Sequence, residues 1–455
     1  MTSESKTVVV VGHGMVGHRF VQAMRDRDTD NTWNVVVVCE ESDPAYDRVG
    51  LSSYVGAWER DSLALAGNTY PGDANVTTYL AETVTAIDRD RRRVMTSVGR
   101  EIGYDALVLA TGSYPFVPPV PGHDHPRCFV YRTLDDLDGI RAAAEKAGPG
   151  AVGVVVGGGL LGLEAANALK LMGMVPHVVE FAPRLMPMQV DDGGGAVLEK
   201  LVTDLGLVVH TGVGTAQIAD GDDADLRVTL SDDSHIDAAL VVFSAGVRPR
   251  DQLARDAGLA VGERGGVLVD ASCVTDDASI YAIGEVAAVD GRCYGLVAPG
   301  YSTAEVVADR LLGGQGTFPG ADMSTKLKLL GVDVASFGDA MGTTENALEI
   351  VYHDPVSGRY AKVVVSDDAT TLLGGILVGD ASAYAMLKPM VGREIPGDPA
   401  ALIAPEGAAG GVGLDALPDD AEICSCNGVS KGTICSAIAE QIVPCLLYTS
   451  PSPRD

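Results

Sequence analysis

Two glycine clusters hold most of the chemistry open to this chain. Gly12-His13-Gly14-Met15-Val16-Gly17 and Gly157-Gly158-Gly159-Leu160-Leu161-Gly162 repeat one spacing, 145 residues apart. A loop of this kind binds a dinucleotide. Its first glycine makes the tight turn, its second lets the backbone approach a pyrophosphate, and its third lets a helix pack closely on a strand. The free N–H groups and positive dipole end of the helix that follows then hold the phosphates. An acidic side chain for the ribose hydroxyls completes the set. Glu40 stands 23 residues after Gly17, and Glu180 stands 18 residues after Gly162. One such fingerprint describes an ordinary turn as readily as a site. Two in one chain imply two bound nucleotides, and two nucleotides imply a hydride relay.

Both loops need the same elements around them. Thr7-Val8-Val9-Val10-Val11 is a β-branched run that reads as a buried parallel strand, followed by a helix over about 16–25 and a second strand over 33–38. The run from Ala151 to Val156 repeats the pattern, with a helix through Leu163-Glu164-Ala165-Ala166 and a strand, His177-Val178-Val179, that ends on Glu180. The fold class expected is α/β with two Rossmann-like domains. The acid at 180 favours NADH, because a carboxylate repels a 2′-phosphate. Arg184 keeps NADPH open, since it could reach that phosphate or simply the pyrophosphate.

Composition agrees with an α/β protein rather than a disordered or fibrous chain. The chain has 455 residues, 46% hydrophobic and 5% aromatic, with 55 glycines, and this suits buried Val/Ala strands and tight turns. A net charge of −29 repels phosphate backbones, so no nucleic-acid partner is expected. Acidic clusters such as Asp222-Asp223 and Asp232-Asp233 read as loop coating rather than metal ligands. No run of about 18 apolar residues points to a membrane span, and the N-terminus has no signal-peptide pattern, so a cytoplasmic protein is expected. Of 8 cysteines, Cys39, Cys128, Cys273 and Cys293 are scattered, whereas Cys424, Cys426, Cys435 and Cys445 crowd the last 32 residues.

Three further segments resemble the flavoprotein family that binds two dinucleotides. They are the run Tyr104 to Gly112 ending in Ala110-Thr111-Gly112, the run Ile280-Tyr281-Ala282-Ile283-Gly284-Glu285, and Ala45-Tyr46-Asp47-Arg48-Val49-Gly50-Leu51-Ser52. The resemblance implies FAD at the first glycine loop. Thr111 and Gly112 would then close its strand end, Gly284 and Glu285 would face the ribityl chain, and Arg48 would meet phosphate or ring. The general family has Asp where Glu285 stands. The resemblance also places Glu164 near the nicotinamide, against a plain reading as a surface helix glutamate. It makes Ser244-Ala245-Gly246-Val247-Arg248-Pro249 the return crossover. The expected division is an FAD domain of 1–125 and 246–318, an inserted NAD(P)H domain of 126–245, and a small α+β interface domain of 319–395. No close cysteine pair precedes Cys424, so electrons are not expected to pass to a protein disulfide.

The segments 294–301, 325–339 and 373–380, with Gly284-Glu285, resemble the large subunit of NAD(P)H-dependent nitrite reductase. That likeness covers about residues 5–444. Residues 396–420 read as a Gly/Pro-rich linker. Ile423-Cys424-Ser425-Cys426-Asn427-Gly428 resembles the start of a bacterioferritin-associated-ferredoxin-type domain, whose 2Fe-2S cluster needs a later Cys-x-x-Cys as well. Only Cys424 and Cys426 match, so the cluster site over 421–444 is incomplete. Residues 445–455 do not resemble the family. They look like a translated sequencing adapter, and the chain is then the front of a longer subunit.

The expected function is a flavoprotein reductase module, FAD-dependent and NADH-oxidising. In the full-length protein the resemblance implies passage of electrons through the 2Fe-2S cluster to sirohaem and 4Fe-4S, reduction of nitrite to ammonium, and a small nitrite reductase subunit as partner. No catalytic acid or base is expected, because hydride transfer between bound cofactors needs alignment more than proton movement. The alternative is a free-standing NADH reductase for rubredoxin or ferredoxin, which has no need of the Cys424-x-Cys426 pair. A flavin-binding sensor without turnover is a third reading, distinguished by slow flavin reduction.

Overall fold

The structure is a computed structural model that describes residues 5–221, 225–329, 331–404, 417–424 and 429–439. Asp222, Asp223, Cys426, residues 405–416 of the expected linker and the 445–455 segment lie outside the described residues. The chain divides into two units, Met1–Tyr114 with Val247–Ala321, and Pro115–Gly246 with Asp322–Asp455.

In the first unit, β1 (Lys6–Val11) leads through the glycine loop into α1 (Met15–Arg27) and on to β2 (Trp33–Val38). The parallel sheet runs Ile280–Ala282, Ala106–Leu109, β1, β2, Val76–Tyr79. Val8, Val9 and Val10 are fully buried. A parallel strand covered on both faces has no polar side, hence the unbroken valine run. Each such side chain stabilises the fold by roughly 1.5–3 kcal/mol. α1 buries Phe20, Val21 and Met24, and its last turn carries Arg25 and Arg27, which oppose the negative dipole end. The helix Val297–Leu311 packs against α1, and Arg19 pairs with Glu305 at 2.7 Å.

The second unit repeats the plan with β3 (Val152–Val156), α2 (Leu160–Leu171) and β4 (Val175–Glu180). Its parallel sheet runs Val208–Thr211, β4, β3, Leu240–Phe243, Cys128–Val130. α3 (Asp192–Asp204) follows, capped by the Asp191 side chain, which accepts from Gly194 N at 2.9 Å. The same unit holds an antiparallel sheet ordered Thr325–Leu329, Val332–Gly338, Leu372–Gly379, β5 (Arg359–Val365), Leu348–Asp354. The stretch expected to be a linker packs at both ends. Leu402, Ile403 and Leu417, with Ala421 just beyond it, are buried in the core of this sheet. Apolar residues at its ends outweighed its Gly/Pro composition. Among the described residues, no helix is long and apolar enough to cross a membrane.

Candidate dinucleotide-binding sites

The two glycine loops have the same construction. Gly12 and Gly157 take φ of +107° and +117°, a region that disfavours side chains, and each donates its N–H to the end of the next strand, at Val38 O and Val179 O, both 2.8 Å. A Cβ on Gly17 or Gly162 would collide with the carbonyl oxygen of Gly12 or Gly157, so the helix sits against the turn only because both are glycine. Gly14 and Gly159 are the N-caps of α1 and α2, each at φ −79° and ψ −172°, and neither supplies a side-chain cap. The first-turn N–H groups therefore remain available to an anion.

In the first unit, distant residues converge on this loop. A Cβ on Gly14 would lie 3.8 Å from Arg48 Nε, which puts that guanidinium at the phosphate end of α1. Gly284, at φ +73°, packs its Cα face on Val16, and Gly300 packs on the same valine. Glu285 accepts from Ser113 Oγ at 2.7 Å. Thr111 Oγ1 donates to Arg250 O at 2.8 Å, and Gly112 O accepts from Arg250 N at 2.9 Å. The Arg250 guanidinium then pairs with Glu40. Thus Gly12, Gly14, Gly17, Arg48 and Gly284 gather at the loop, Glu285 is held by Ser113, and Thr111, Gly112 and Glu40 are tied together through Arg250. The missing side chain at Gly14, the uncapped helix end and the adjacent cation fit a dinucleotide pyrophosphate.

Several residues escape a reading of sequence alone. Glu41 pairs with Arg48 and accepts from Tyr46 Oη at 2.8 Å, so the second of two adjacent acids is the one bonded to the cation beside the loop. Arg250 and Ser113 carried no motif signal. His13 lies inside the loop and bonds Tyr70 Oη at 2.9 Å. Tyr70 Oη also bonds His18 Nδ1 at 2.8 Å, and His18 Nε2 lies 3.1 Å from Ala66 O. A carbonyl only accepts, so His18 carries its proton on Nε2 and its Nδ1 accepts from Tyr70. Tyr70 oxygen then accepts from His13 Nε2–H, which leaves His13 Nδ1 an unprotonated, buried acceptor without a partner among the described residues. Burial, and then their mutual repulsion for His13, lowers both imidazoles to about 4; for His18 the Ala66 contact opposes burial.

In the second unit Glu180 is half-buried, with Oε2 accepting from Gly158 N at 2.6 Å and Oε1 from Ala182 N at 2.7 Å. Arg184 donates from Nε to Val190 O at 2.9 Å and from Nη1 to Asp192 at 2.7 Å. Its stem lies over Gly195, where a Cβ would crowd it. Glu164 lies in the first half of α2 and is half-buried. Cys424 ends the strand Glu422–Cys424. Cys39 and Cys273 are buried free thiols, and burial pushes both upward, Cys273 to about 12. Such thiols are poor nucleophiles.

Two uncapped glycine loops on parallel sheets, with the first sheet completed by a segment from beyond the second, define a class. The chain belongs to the pyridine nucleotide-disulphide oxidoreductase family, whose model matches residues 6–307, and this family binds FAD and NAD(P)H. Residues 324–395 match the rubredoxin NAD+ reductase C-terminal domain. The chain is 51% identical to the nitrite reductase (NAD(P)H) large subunit of Klebsiella oxytoca, over 95% of this chain and 45% of that protein. It is 45% identical to the nitrite reductase (NADH) large subunit of Escherichia coli, over 95% and 51%. The likeness to the nitrite reductase large subunit read from the motifs is therefore shown. The chain spans about half the length of these curated relatives. Among solved structures, a ferredoxin reductase from Rhodopseudomonas palustris matches with a TM-score of 0.74 and 26% identity, over 84% of this chain and 93% of that one.

Proposed function

We propose that this chain is the FAD-dependent, NADH-oxidising module of a nitrite reductase large subunit. Bound FAD supplies the conversion of a two-electron hydride donor into single-electron steps. The chain's own residues bind and orient. Gly12, Gly14, Gly17 and the first turn of α1 hold the FAD pyrophosphate, with Arg48 neutralising it. Glu40 or Glu41 takes the ribose hydroxyls, Gly284 and Glu285 take the ribityl side, and Thr111 and Gly112 close the strand end. Gly157, Gly159, Gly162 and the first turn of α2 hold the pyrophosphate of NADH, and Glu164 contacts the nicotinamide. No side chain is assigned as acid or base, since hydride transfer depends on alignment.

The observation that carries the NADH preference is the carboxylate of Glu180. Two backbone N–H groups hold it at the ribose end of the loop, while Arg184 is turned to Val190 and Asp192. A 2′-phosphate would meet a fixed anion there, with the Arg184 guanidinium engaged by Val190 and Asp192. In the full-length protein, Cys424 and Cys426 would supply part of a 2Fe-2S site, and sirohaem with 4Fe-4S would reduce nitrite to ammonium, with a small nitrite reductase subunit as partner. A cytoplasmic location belongs to the same reading. The match of residues 324–395 to the rubredoxin NAD+ reductase C-terminal domain favours a second reading, a free-standing reductase for a small iron protein. Anaerobic titration of the purified chain with NADH and NADPH, followed by visible spectrum, tests the proposal. Flavin bleaching at lower NADH than NADPH is expected. A chain that stays colourless after flavin reconstitution would overturn both readings.

A further inference from the structure

Phe181 directly follows Glu180, and its side chain is 82% exposed. Phe20, Phe243 and Phe337 are by contrast among the most deeply buried side chains. The exposed ring is not on a loose loop. Glu180 O accepts from Val213 N at 3.2 Å, Ala182 O accepts from Gly212 N at 2.8 Å, and the Glu180 carboxylate holds Ala182 N. Both neighbours of Phe181 are thus pinned. A Cβ on Gly214 would lie 3.3 Å from Phe181 Cδ2, so the ring rests over a glycine whose N–H is itself tied to Ser231 Oγ at 3.0 Å. Backbone supports the ring on that side, and the rest of it faces outward. Met188, in the same loop, is 81% exposed.

We propose that Phe181 is the stacking platform for the adenine ring of the nicotinamide dinucleotide, and so sets affinity for the adenylate half of that substrate. The proposal rests on the NADH reading. Glu180 is the residue placed to bind the ribose hydroxyls. Adenine is one glycosidic bond from that ribose, and Phe181 is one residue, about 3.8 Å of backbone, from Glu180. A pinned, outward-facing aromatic ring with two rotatable torsions loses little freedom when a flat base covers it, and every base presents a π-face to it.

The test uses the purified full chain with F181S and F181W. Binding of ADP-ribose, which carries the adenylate but no nicotinamide, is measured by calorimetry. Flavin reduction is measured with NADH and with reduced nicotinamide mononucleotide, which lacks the adenylate. F181S is expected to weaken ADP-ribose binding and to raise the half-saturating NADH concentration about tenfold, the effect of losing one stacked base. The maximal rate and the response to the mononucleotide stay unchanged, and F181W restores the binding. Unchanged ADP-ribose affinity in F181S, or an equal loss with the mononucleotide, overturns the proposal. If ADP-ribose binding depends on Phe181 while NADH fails to reduce the flavin, the platform stands and the NADH oxidoreductase reading fails.

Discussion

At the scale of single residues, the first glycine loop is built over an unusual polar core. His13, Tyr70 and His18 form one hydrogen-bonded chain with a single consistent set of proton positions. Tyr70 holds this place at φ +48°, an uncommon conformation for a bulky residue. Both imidazoles are neutral in the folded protein until about pH 4, whereas unfolded histidine takes its proton near 6.5. The unfolded chain therefore binds more protons between these values, and stability falls as pH drops through that window. The contribution is complete above 6.5, and each pH unit below it costs up to about 1.4 kcal/mol per imidazole. Thermal unfolding of the unsubstituted chain at pH 7, 6 and 5 should show this decline, and the double variant H13N/H18Q should flatten it. An equal slope in the variant would count against the assignment. The same scale shows what spacing left undecided. Two adjacent acids, Glu40 and Glu41, follow β2 at nearly the same distance from the loop. Only three-dimensional packing gives one to Arg250 and the other to Arg48.

At the scale of elements, the start of α3 is held by a charge that sequence pattern does not flag. Lys362 lies on β5 within an apolar run and is 2% exposed. Its Nζ bonds Asp191 at 2.8 Å and Glu349 at 3.1 Å, and Tyr360 Oη donates to the same Asp191 oxygen at 2.8 Å. Burial alone would raise Asp191. The bonds from Lys362, Gly194 N–H and Tyr360 outweigh it and hold the carboxyl below its ordinary value. Removing one partner of a buried pair leaves the other uncompensated, so K362M should cost about 3–5 kcal/mol. The double variant K362M/D191N should recover part of this. Urea unfolding of the three proteins measures the coupling, and strict additivity would refute it. The β–α–β units around each loop were legible because a valine run, a glycine turn and an apolar-faced helix agree with one another locally. The antiparallel sheet was legible only as a small α+β domain, since its strand order depends on pairings between distant segments.

At the scale of the whole molecule, the first unit is discontinuous. Residues 247–321 supply the edge strand Ile280–Ala282, which pairs with Ala106–Leu109, and the helix that packs on α1. Val306, Val307 and Ala308 of that helix are buried with Phe20 and Met24 in one core. A fragment of residues 1–150 would expose that core, so limited proteolysis should not leave it as a folded product. Recovery of such a fragment with native-like stability would falsify the interdependence. The chain's acidic balance, −29 in net charge, is a property of this scale too, and it opposes any polyanionic partner whatever the local site.

The sequence by itself determined the two nucleotide loops, their glycines, the acid that follows the second, and the α/β class. Each of these is enforced within a few residues, by φ, by close backbone approach and by the burial of parallel strands. Tertiary structure alone decided which acid meets which arginine, that Ser113 reaches Glu285, that a lysine is buried behind α3 and that the expected linker packs its ends into a core. Those outcomes depend on residues tens to hundreds of positions apart, and no local pattern encodes a contact whose partners are chosen by the packing of whole sheets.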